Sequence, residues 1–109
     1  MVDVNAGVLS SLNSTTSILT SGGVFTGVKE DVFMFGGVHI FVFSDVGSAT
    51  NGISLQFSTD GSNWDYSETY TLTASIAKVL TSNIHARFFR LVYTNGSSNQ
   101  TSFRLQTSF

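Results

Sequence analysis

Residues Ile53 to Thr59 read ISLQFST, apolar at Ile53, Leu55 and Phe57 and polar at Ser54, Gln56 and Ser58. Alternation with period two places the two sets on opposite faces of a pleated strand, and one polar face means that a core covers only the other. Asp60-Gly61 follows at once, a dipeptide suited to the positive φ of a tight hairpin turn. No helix has this period, so the segment commits the middle of the chain to antiparallel β structure.

The same pattern recurs along the chain. Val38 to Ser44 (VHIFVFS) puts Val38, Ile40 and Val42 on one face and His39, Phe41 and Phe43 on the other. A strand apolar on both faces is central in a sandwich or covered by another chain. Trp64 to Leu72 alternates as Trp64, Tyr66, Glu68, Tyr70, Leu72. Ala86 to Thr94 (ARFFRLVYT) is closed by an Asn95-Gly96 turn. Thr101 to Ser108 ends the chain with Phe103 and Leu105 inward and Arg104 and Gln106 outward. Thr15 to Thr20 and Val24 to Glu30 read as earlier strands parted by Ser21-Gly22-Gly23, and Asp45 to Asn51 reads as a loop. Ile76 to Thr81 suits a strand better than a short helix. About eight strands with turn signals roughly every 8–12 residues predict an all-β fold, an antiparallel β-sandwich of jelly-roll type. The expected core is Val24, Ile40, Val42, Ile53, Leu55, Phe57, Trp64, Leu72, Phe89, Leu91, Phe103 and Leu105. Residues 1–14 carry Val2, Val4, Val8, Leu9 and Leu12 but one charge, Asp3, and lack turn punctuation. They are expected to form an extended N-terminal arm ahead of a single domain over 15–109.

At 109 residues the chain has room for one core. It has no Cys, which excludes disulfides, thiol nucleophiles and cysteine-ligated metals. Only 11% of residues are charged, under half the usual ~25%, and more than a quarter are Ser or Thr. The five basic residues are scattered, whereas nucleic-acid binding needs them clustered. No apolar run approaches the ~18 residues of a membrane span. The opening MVDVNAG has no basic stretch, so no secretory signal is expected there. A surface of hydroxyls with few ions costs little to desolvate, which suits a chain packed against other subunits. A soluble β domain with a Ser/Thr-rich exterior is the plainer alternative.

Nothing assembles into catalytic machinery. His39 lies inside the most apolar strand, where a packed or interface role is the ordinary one. His85 precedes a strand and reads as an exposed turn residue. No Ser sits in a nucleophile elbow. Asp60, Asn63 and Asp65 offer oxygen ligands for Ca²⁺, but a hairpin turn accounts for the same residues. No metal, no cofactor and no enzymatic activity are expected. Trp64, Tyr66 and Tyr70 alternate along one stretch and could stack on a surface glycan, although a core position is the stronger reading. The sequons at Asn13, Asn95 and Asn99 arise readily in so Ser/Thr-rich a chain.

Two segments carry a resemblance: Ile53 to Asp65 (ISLQFSTDGSNWD) and Ala86 to Phe109 (ARFFRLVYTNGSSNQTSFRLQTSF). Together they resemble small β-sandwich domains of tailed-phage and other viral structural proteins. They are more distantly similar to discoidin-like jelly rolls, whose paired strands often read S-x-D-G-x-x-W and A-R-Y-x-R-L. The resemblance implies a non-enzymatic virion structural protein, foremost a capsid decoration or cement protein located in the virion. Its partners would be copies of itself and other virion structural proteins, with no nucleic acid and no membrane. A head- or tail-fibre, neck or baseplate component is the first alternative, and a carbohydrate-binding module in host attachment the second. The subunit-contact candidates are Val2, Val4, Val8, Leu9, Leu12, His39, Phe41, Phe43 and Arg90.

Overall fold

The computed structural model describes residues 8–109. Nine strands follow one another: β1 (Leu9–Thr15), β2 (Val24–Thr26), β3 (Glu30–Asp31), β4 (Val38–Ser44), β5 (Ser48–Ser58), β6 (Tyr66–Tyr70), β7 (Lys78–Ser82), β8 (Phe88–Asn95) and β9 (Phe103–Ser108). One sheet has the order β1-β9-β4-β7 and the other β2-β8-β5-β6, with β3 also on β8, and every pairing is antiparallel. β2 and β3 lie end to end on β8 and act as one interrupted strand, which gives eight among the described residues.

The order follows from rolling up one long hairpin. β5 pairs with β6, β4 with β7, β2/β3 with β8, and β1 with β9. The tip is the Asp60-Gly61 turn. The roll is closed by β4 on β9 and β5 on β8. That is the jelly roll expected from the spacing of the turns. Gly61 takes φ +80° at the tip, where a side chain would be strained. Asp60 accepts hydrogen bonds from the backbone N–H groups of Asn63 and Ser62, each at 2.8 Å, and from the Ser58 hydroxyl at 2.9 Å. These bonds hold its carboxyl far below the usual range. Both carboxylate oxygens of Asp60 are thus engaged in shaping the turn.

The core lies between the sheets, as the alternation requires. Ile40, Val42, Ile53, Leu55, Phe57, Leu72, Phe89, Leu91, Phe103 and Leu105 are buried, joined by Val32, Val38, Leu80, Tyr93 and Phe109. Two expected members are elsewhere. Val24 is 52% exposed, because its partner Thr94 points outward and Phe25 takes the inward place. A three-residue strand is too short for its own alternation to set which side faces in. Trp64 precedes β6 and is half-buried, its ring 4.4 Å from the Arg90 guanidinium. Among the described residues there is no helix, and Ile76 precedes a strand. Thr16 to Thr20 is not a strand, and β5 begins at Ser48, inside the expected loop.

The expected arm is the largest correction. Val2 and Val4 lie outside the described residues, but Leu9 to Ser14 belong to β1, an edge strand paired with β9. Its inward residues are polar. Ser10 and Asn13 are buried, with a bulge between Ser10 and Thr15 in place of clean alternation. Asn13 crosses to the other sheet where β2 and β3 break. Its Oδ1 accepts from the Leu91 N–H at 2.8 Å, and its Nδ2 donates to the Val28 carbonyl and to Glu30 Oε1, each at 3.0 Å. The Ser10 hydroxyl donates to the same Glu30 oxygen at 2.6 Å. A side-chain amide thus takes the ladder position that the interrupted strand vacates. Gly27 makes room for it, since a Cβ there would run into the Asn13 amide.

Candidate functional site

One end of the sandwich gathers the β3–β4, β5–β6 and β7–β8 loops, because β3, β5 and β7 all finish there. Val32 N–H donates to the Arg87 carbonyl at 2.8 Å and Phe35 N–H to the Val32 carbonyl at 3.0 Å, which folds the β3–β4 loop back against the start of β8. Phe35 stacks on Phe109 with ring centres 4.9 Å apart. Phe33 and Met34 are thrown outward at the loop tip, 77% and 84% exposed. Between this loop and Asn83 to Arg87 lies a cleft of about 520 Å³, lined also by Phe33, Phe35 and Thr59. A second hollow, of about 330 Å³, lies against Asp31, Phe33, Met34 and Arg87.

Two carboxylates organise the cleft's walls. Asp31 accepts from the Phe33 N–H at 3.1 Å and from Arg87 Nε at 2.9 Å. The first of these bonds, then the guanidinium, lowers its carboxyl pKa. Glu68 sits on β6 opposite Leu55, at an inward position on the open flank where β6 faces β7. It accepts from the Tyr66 and Tyr70 hydroxyls at 3.1 Å each, from Ser82 Oγ at 3.0 Å and from His85 Nε2 at 2.8 Å. Partial burial pushes the Glu68 carboxyl up. The bonds from Ser82, Tyr66 and Tyr70 and the His85 charge outweigh burial and hold it below the usual carboxylate range. The same contact with Glu68 raises the Tyr66 hydroxyl's pKa. His85 also packs edge-on against Phe57, with ring centres 5.3 Å apart. Ser82 and His85 both reach the carboxylate, and the Asn83 carbonyl is an alternative acceptor for the one Ser82 hydroxyl proton, so Glu68 clamps β6 to the end of β7 and the loop that follows it.

The residues singled out from the sequence fall on distinct surfaces. Leu9, His39, Phe41 and Phe43 come together on the outer face of the β1-β9-β4-β7 sheet. The register sets Leu9 and His39 on either side of Ser108, Phe41 opposite Val79, and Phe43 opposite Arg104. On that face Leu9 is 62% exposed, Val79 67% and Phe41 39%. Val8 and Leu12 are exposed at and just before β1. Arg90 lies on the opposite sheet's outer face, bonded to Gln56 Oε1 at 2.7 Å and stacked on Trp64. The three candidate glycan-stacking rings are therefore divided. Trp64 is with Arg90, while Tyr66 and Tyr70 turn inward onto Glu68. Sequence reasoning missed the Glu68–His85 and Asp31–Arg87 pairs. For Glu68 there was a signal, an acid at an inward position between two tyrosines. For Asp31, whose partner Arg87 is 56 residues away, there was none.

The crystal structure of the PBSX exported protein XepA shares this fold, with a TM-score of 0.79 and 17% sequence identity over 95% of the present chain. The match covers 36% of XepA, so the chain spans about a third of that protein's length. Among curated proteins none matches. The family model described as the N-terminal domain of the uncharacterised protein YqxG matches residues 3–109. The chain belongs to the YqxG N-terminal domain family.

Proposed function

We propose that this chain is a non-enzymatic structural protein of a phage particle. It acts as a capsid decoration or cement subunit and joins copies of itself and other virion proteins through the outer face of the β1-β9-β4-β7 sheet. The observation that carries the reading is the apolar surface on that face: Leu9, Phe41 and Val79 stand exposed among Ser, Thr and Gln, with Arg104 and His39 as the basic groups. Such a patch is a liability on a free monomer and an asset in an interface, and so few ions cost little to strip of water. The fold shared with part of a phage exported protein supports the setting. Quantitative mass spectrometry of purified, salt-washed particles tests the proposal. A fixed, high copy number that falls on Phe41→Glu is the expected result. Low copy number confined to the tail or neck would favour the fibre, neck or baseplate reading, and absence from particles would refute a virion role.

A further inference from the structure

The cleft beside Phe33 has walls that are set before anything binds. Asp31 fixes both the turn that presents Phe33 and the guanidinium of Arg87. Glu68 holds His85 through Nε2, and the Tyr66 ring packs on the imidazole at 4.6 Å. Phe35 is pinned by its stack on Phe109. Side chains already immobilised lose little freedom on binding, which favours a ligand site over an incidental hollow.

The chemistry of the walls narrows the ligand class. Arg87 is paired with Asp31, and the Glu68 carboxylate is engaged by His85 Nε2 and by the Tyr66, Tyr70 and Ser82 hydroxyls, so neither carboxylate is left free toward the cleft. An ionic ligand would compete with one of these pairs, whereas an uncharged one leaves both intact. The Phe33 and Phe35 rings offer flat apolar surface, and Asn83, Thr59 and His85 offer hydrogen-bonding groups around it. An uncharged molecule with an apolar C–H face and a fringe of hydroxyls fits that combination, and this is the description of a pyranose ring. The cleft's 520 Å³ falls within the roughly 300–1,000 Å³ of small-ligand sites. A Phe ring as open as Phe33, beside an equally open Met34, forms a patch that a covering ligand would complete.

We propose that the cleft between the β3–β4 and β7–β8 loops binds a neutral hexopyranose unit of a glycan. Phe33 supplies the stacking surface, and Asn83 and His85 supply hydrogen bonds. The proposal goes beyond the structural role and does not rest on it. It also moves glycan recognition away from Trp64 and Tyr70.

The test is titration of the isotope-labelled chain with glucose, galactose, N-acetylglucosamine and their short neutral oligomers at millimolar concentration, followed by amide NMR. Saturable shifts are expected at Phe33, Phe35 and Asn83 to Arg87. Phe33→Ala should weaken binding about tenfold, a loss of about 1.4 kcal/mol, without changing the melting temperature, because Phe33 is 77% exposed. Asn83→Ala, also at an exposed residue, is the second variant. The proposal is overturned if none of these sugars shifts those amides, if the shifts centre on Trp64 and Arg90, or if only charged sugars bind. It is also overturned if Phe33→Ala lowers the oligomeric state and leaves sugar binding unchanged, since Phe33 would then be a subunit contact.

Discussion

Replacing Asn13 with Ala should cost this domain a large part of its stability. The substitution removes the acceptor of the Leu91 N–H and the donor to both Val28 O and Glu30 Oε1. These losses are unequal. Leu91 is wholly buried, in the middle of β8, so its amide is left with neither water nor ladder partner. A buried unsatisfied donor costs about 1–3 kcal/mol. Val28 is exposed, and its carbonyl can turn to water at little cost. Glu30 is half-buried and keeps the Ser10 hydroxyl, so it adds a smaller increment. The sum is about 2–4 kcal/mol, against the roughly 5–15 kcal/mol that stabilises a typical domain. For about 100 residues that lowers the melting temperature by about 10–25 °C. Asn13→Asp should be no better at neutral pH. It restores the acceptor for Leu91 but sets a carboxylate against Glu30 and removes both donors. Thermal unfolding followed by circular dichroism at matched protein concentration reads both variants. A shift of a few degrees or less for Asn13→Ala would show that the amide does not bridge the sheets, and the account of β1 would fall with it.

Three further outcomes follow from the same contacts. Gly27→Ala should destabilise the fold as Asn13→Ala does, because its Cβ displaces the Asn13 amide; the two variants combined should lose little more than either alone, as a double-mutant cycle would read. The Glu68 carboxyl is held below its unfolded value, so its contribution is present above about pH 4.3 and is lost as pH falls through the lower folded value. Melting temperatures of Glu68→Gln measured across that window should fall less steeply than wild type, with Asp31, Asp45 and Asp60 supplying the remaining slope; an unchanged profile would sink the clamp. Deleting residues 1–14 should abolish the cooperative unfolding transition, because it removes most of β1 along with Asn13.

The sandwich was legible because its long strands announce themselves. Val38 to Ser44 alternates in burial throughout, Ile53 to Phe57 alternates in both hydropathy and burial, and the Asp60-Gly61 turn between β5 and β6 sets the register of the hairpin tip. β1 was hidden for a physical reason. It is an edge strand that buries Ser10 and Asn13 and exposes Leu9 and Leu12, so its pattern is inverted and then shifted by a bulge. Hydropathy cannot distinguish such a strand from a loose arm. The cleft was illegible for a different reason. Asp31 meets Arg87, and Glu68 meets Ser82 and His85, only once the roll brings separate loops to one end. The proposed docking face lay between these extremes. His39, Phe41 and Phe43 could be read as one face of one strand, but Leu9 and Val79 join them only through the pairing of β9 and β7 with β4.

The central claim is that this chain works by packing against its own kind through that face, and sedimentation velocity of the purified chain tests it most directly. At micromolar concentration and neutral pH a single discrete oligomer is expected, reverting to monomer in Phe41→Glu with the β spectrum intact. A wild-type chain that sediments as a monomer throughout that range would contradict the claim, because the exposed Leu9, Phe41 and Val79 would then have no partner of the same sequence.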